Sequence, residues 1–164
     1  MCKGFTPLVS FGYNIAPGGI TSSWNIGTIY CSLATANLVH QQLGVHKKYL
    51  HPLGLMTPTV IDSRGNAVTI TLLDANHCPG AVMFLFQVGN KTILHVGYFR
   101  WDRDLMLIQA PLQSFFNLRV RLDEILFDTT YCDEKYAGIP TQHWPSKRRL
   151  KLLTKRWQSA LGVD

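Results

Sequence analysis

Leu73-Asp74-Ala75-Asn76-His77-Cys78-Pro79-Gly80-Ala81-Val82-Met83-Phe84-Leu85-Phe86 is the stretch whose reading decides the fold. To its left, Ala67 to Leu73 alternates β-branched and apolar residues, and from Ala81 to Val88 the chain is almost wholly apolar. Both flanks read as strands, the second buried on at least one face. The polar loop Asp74–Gly80 therefore joins two strong strands at one end of a sheet, a usual seat for ligands and catalysts. His77 is its candidate metal ligand, although a single loop histidine is by itself more often an ordinary hydrogen-bonding residue.

Working outward, Gly89-Asn90 is a turn signal before a third strand, Thr92 to Val96, and Glu124 to Phe127 reads as a last strand ending on Asp128. Upstream, Ile26 to Cys31 is a short β-prone run. Ser32 can then cap a helix whose apolar positions Leu33, Ala36, Val39 and Leu43 step at helical spacing, and Gly44 stops it. Residues 1–24 read as a weak strand followed by a loop. After Pro140, the residues Leu150, Leu153, Trp157 and Leu161 form one stripe of an amphipathic helix. Successive strands with interspersed helices predict a layered α/β domain.

The chain has 164 residues, 46% of them hydrophobic, enough for one domain with a sizeable core. Charged residues make up 16%, with Gly and Pro scattered, which excludes a disordered or low-complexity chain. No apolar run approaches the roughly 18–20 residues of a membrane span, and Met1-Cys2-Lys3-Gly4 leads into no signal-peptide core, so a soluble intracellular protein is expected. Cys2, Cys31, Cys78 and Cys132 form no CxxC pair and read as free thiols rather than a disulfide framework or zinc finger. The net charge of +6 is unevenly spread. Residues 1–142 hold ten Lys/Arg against nine Asp/Glu, whereas residues 143–164 hold six against Asp164 alone.

The fourteen-residue stretch resembles the DNA cross-link repair nucleases of the β-CASP branch of the metallo-β-lactamase superfamily. Ile29-Tyr30-Cys31-Ser32 followed by a helix, Ile93-Leu94-His95-Val96-Gly97-Tyr98-Phe99-Arg100, and Leu126-Phe127-Asp128-Thr129-Thr130-Tyr131-Cys132 agree with that family in order and spacing. With the turn at Gly18-Gly19, the resemblance covers roughly residues 9–142. It implies a partial metallo-β-lactamase fold, β-sheet layers flanked by helices in an incomplete αββα sandwich, running into the start of the β-CASP region over residues 1–142. It also implies zinc-dependent hydrolysis of DNA phosphodiesters, of 5′-exonuclease or endonuclease type, in interstrand cross-link and double-strand-break repair in the nucleus. There a zinc ion would polarise the phosphodiester and lower the pKa of its bound water.

Carried over position by position, His77 matches the loop zinc ligand, and Asp128 matches the catalytic acidic residue that opens the β-CASP portion. The departures are as informative. Phe11, Tyr13, Ile15 and Ala16 stand where the family has its His, His, Asp and His ligands, and Tyr98 stands where it has a metal-binding Asp. Phe, Ile and Ala have no donor atom, and a phenol is not a usual zinc ligand. The other histidines, His40, His46, His51, His95 and His143, fit no ligand spacing. A catalytic zinc needs about three protein ligands and an open position, so this chain is expected not to bind zinc and to be catalytically impaired. The family's second half is also expected to be missing after the Asp-Thr-Thr strand.

The basic segment 143–164 lies outside the resemblance and reads as an amphipathic helix. Its Lys147, Arg148, Arg149, Lys151, Lys155 and Arg156 could contact nucleic acid through phosphates, form a solvated face, or serve as a localisation signal. Three functional readings follow: a DNA-repair nuclease, a non-catalytic relative that binds DNA or protein, and a gene fragment without independent function. DNA is the expected partner and no membrane is.

Overall fold

The computed structural model describes residues 20–127, apart from 26, 64, 118 and 119. Elements follow in the order β1 (Ile29–Cys31), α1 (Leu33–Leu43), a 3-10 turn (Lys47–Tyr49), β2 (Leu50–Pro52), β3 (Thr59–Ser63), β4 (Asn66–Asp74), β5 (Val82–Val88), β6 (Lys91–Gly97), α2 (Arg103–Leu107), α3 (Ala110–Phe116) and β7 (Glu124–Phe127). The described part is α/β, as composition and pattern indicated. The expected boundary between residues 142 and 143, the weak strand before residue 20 and the C-terminal helix all lie outside the described residues.

Helix α1 ends where its capping chemistry dictates. Ser32 Oγ accepts from Thr35 N–H at 3.2 Å, and Gly44, at φ 69°, closes the last turn by donating its N–H to His40 O. The helix carries the chain from β1 to a parallel β2, with Ile29 opposite Leu50. This is the crossover that parallel pairing requires. Trp24, Ile29, Cys31, Ala36, Val39 and Val45 form a small core beneath it.

Strands β3 to β7 make one five-stranded sheet in sequential order. The first four are antiparallel, and β6 pairs parallel with β7 through the connection that contains α2 and α3. Alternation of side chains along β4 and β5 sorts the apolar residues onto two faces. Leu53, Val68, Ile70, Leu72, Val82 and Phe84 pack on one side. Leu73, Met83, Leu85, Leu94 and Val96 pack on the other, with Met106 of α2 and Leu112 of α3. Coverage on both faces explains why β5 opens with four consecutive buried residues, Val82 to Leu85. Burying Phe84 alone contributes about 1.5–3 kcal/mol. The end of this sheet where β4 runs into β5 is where the candidate site lies.

Candidate functional site

The Asp74–Gly80 loop is held by backbone hydrogen bonds, by two clamps from outside it and by the polar side chains of Asp74 and Asn76. Asp74 Oδ1 accepts from Asn76 N–H at 2.7 Å, turning the chain as it leaves β4. Asn76 then adopts a left-handed φ of 51°, a conformation that Asn tolerates better than most residues. Ala75 N–H donates to Ala81 O at 3.3 Å and Ala81 N–H to Cys78 O at 2.9 Å, so the loop closes on itself.

Two clamps fix its ends. Gln109, buried at the N-cap position of α3, donates from Nε2 to Asp74 O at 3.0 Å, and its Oε1 accepts from Asp74 N–H at 2.8 Å. It thereby satisfies both main-chain groups of the last β4 residue as a neighbouring strand would. At the other end Gly80 O accepts from Ser32 Oγ and Thr35 Oγ1, each at 2.9 Å. Gly80 sits so close to the first turn of α1 that an added Cβ would lie 3.0 Å from Thr35 Oγ1 and 3.1 Å from Ala34 Cβ. Its φ of 80° likewise suits glycine.

The loop's His77 is half-buried and lies beside Tyr98, at the end of β6, with ring centroids 5.7 Å apart and planes tilted by 36°. The two residues that the sequence reading took as a kept and a departing position are thus neighbours. Tyr98 is 40% exposed, so its phenol can meet solvent or a ligand. Arg100 is tied to the same loop by its main chain: its N–H donates to Ala75 O at 2.9 Å, and its carbonyl accepts from Asn76 Nδ2 at 3.4 Å. His77 is held below its usual pKa, first by burial and then by the Arg100 guanidinium.

Of the site residues read from the sequence, only His77 lies among the described residues. Asp128, the Phe11–Ala16 stretch, and Lys147, Arg148, Arg149, Lys151, Lys155 and Arg156 do not. Among the described residues, no group of three or more His, Cys, Asp and Glu side chains is arranged to hold a metal ion. Several other histidines have local tasks instead. His40 Nδ1 donates to Val45 O, His46 Nδ1 accepts from Lys48 N–H, and His51 meets Tyr30 edge to face. The sequence reading assigned no role to Arg100 or Gln109. Arg100 sat inside a quoted motif, whereas nothing in the local pattern around Gln109 marks it as a clamp 35 residues from Asp74.

No protein-family model matches the chain. Curated relatives do. The DNA cross-link repair 1A protein of Homo sapiens is 42% identical over 115 residues, which are 70% of this chain and 10% of that protein. The 5' exonuclease Apollo of Danio rerio is 37% identical over 134 residues, 80% of this chain and 22% of that protein. The 5' exonuclease Apollo of Gallus gallus is 34% identical over 145 residues, 88% of this chain and 29% of that protein. The chain thus spans less than a third of the length of each of these relatives.

Proposed function

We propose, because this chain belongs to the family of DNA cross-link repair nucleases, that it is a DNA-repair scaffold that keeps the family's site loop without its hydrolytic metal chemistry. The observation that carries this reading is the pairing of His77 with Tyr98 beside Arg100.

A zinc ion suited to phosphodiester hydrolysis takes about three N, O or S ligands and keeps one position open for water. His77 could supply one. Its neighbours do not fit such an ion, since a neutral phenol does not offset a dication and a guanidinium repels it. Phe11, Ile15 and Ala16 bring no donor atom to the family's ligand run either. The relatives' printed activity, 5' exonuclease, is therefore not the activity we assign to this polypeptide.

The five-stranded mixed sheet with α2 and α3 on one face supports a partial metallo-β-lactamase fold, an incomplete αββα sandwich, as the finer description. We assign residues 1–142 to that domain and 143–164 to a basic amphipathic helix, with DNA as the partner and the nucleus as the compartment. Asp128 remains the residue to which we assign the family's catalytic acid, and His77 the surviving ligand position.

The test is incubation of the purified full chain with 5′-phosphorylated labelled DNA, with added zinc or magnesium and with chelator, alongside metal analysis of the protein as isolated. No nucleotide release above buffer and substoichiometric zinc are expected. Chelator-sensitive release of nucleotides would overturn the reading and return the chain to the active nucleases.

A further inference from the structure

We draw no further inference here: the strongest candidate, the exposed apolar patch of Trp101, Leu105, Ile108 and Phe116 along α2 and α3, carries none because nothing in the structure shows what covers it.

Discussion

Gly80 sets the limits of the loop at the scale of single residues. Its φ of 80° and its carbonyl, shared by Ser32 and Thr35, require a backbone that runs against α1 with no side chain between. Gly80→Ala would place a Cβ within 3.0–3.1 Å of Thr35 and Ala34 and force an L side chain into a left-handed conformation. The φ penalty alone is about 1–2 kcal/mol, and a urea melt of the variant should show a loss of at least that size with an unchanged slope. The sequence made this residue visible only as part of a quoted motif, because positive φ and close approach are properties of what packs nearby. The sequence offered His77 as the loop's candidate ligand, whereas its tilted ring contact with Tyr98 was not legible. That contact joins positions 21 residues apart, one in the loop after β4 and one just past the end of β6.

Among the elements, those with a clear period were legible. The alternation in β4, the apolar run of β5, the Gly89 turn and the Ser32-to-Gly44 helix all fall where pattern put them. Strand β3 was missed although Val60 and Ile61 are β-branched, because Pro58 before it and the polar Asp62 to Asn66 after it left too short a run. Helices α2 and α3 were missed because five and seven residues are too short to display a helical stripe. They are set instead by the Asp102 cap and by contacts of Met106 and Leu112 with the sheet. Strand β7 was legible by composition, but all four of its residues are exposed among the described residues, including Ile125 at 42% and Phe127 at 59%. A strand with a bare apolar surface invites edge pairing with another chain. Ile125→Lys is therefore expected to reduce light scattering of the concentrated protein, and unchanged scattering would argue that β7 is not the sticky element.

For the whole molecule, the charge and thiol chemistry set how stability responds to pH. Cys31 lies in the core under α1, and burial pushes its thiol from 9.0 up to about 12. Below 9 the folded and unfolded chains both keep this proton. Between 9.0 and about 12 only the unfolded chain releases it, so stability should fall as pH rises through that window. The slope grows from the start of that window to a limit of about 1.4 kcal/mol per pH unit inside it. Chemical denaturation at pH 8, 9 and 10 checks this, with Cys31→Ala flattening the trend. Alkylation of native protein at pH 8 should spare Cys31. Burial of this kind was not legible from the spacing of four cysteines, which pointed only to free thiols.

The loop clamps carry one more consequence. Every hydrogen bond described for holding residues 74–81 runs through main-chain atoms or through Ser32, Thr35, Asp74, Asn76 and Gln109, and none uses the side chain of His77 or Tyr98. The two rings are thus passengers on a frame that assembles without them. Such a frame can be re-equipped: reactive or metal-binding side chains introduced at positions 77 and 98 would inherit a fixed separation without asking the loop to fold anew, which makes this a graft-ready cassette for protein engineering.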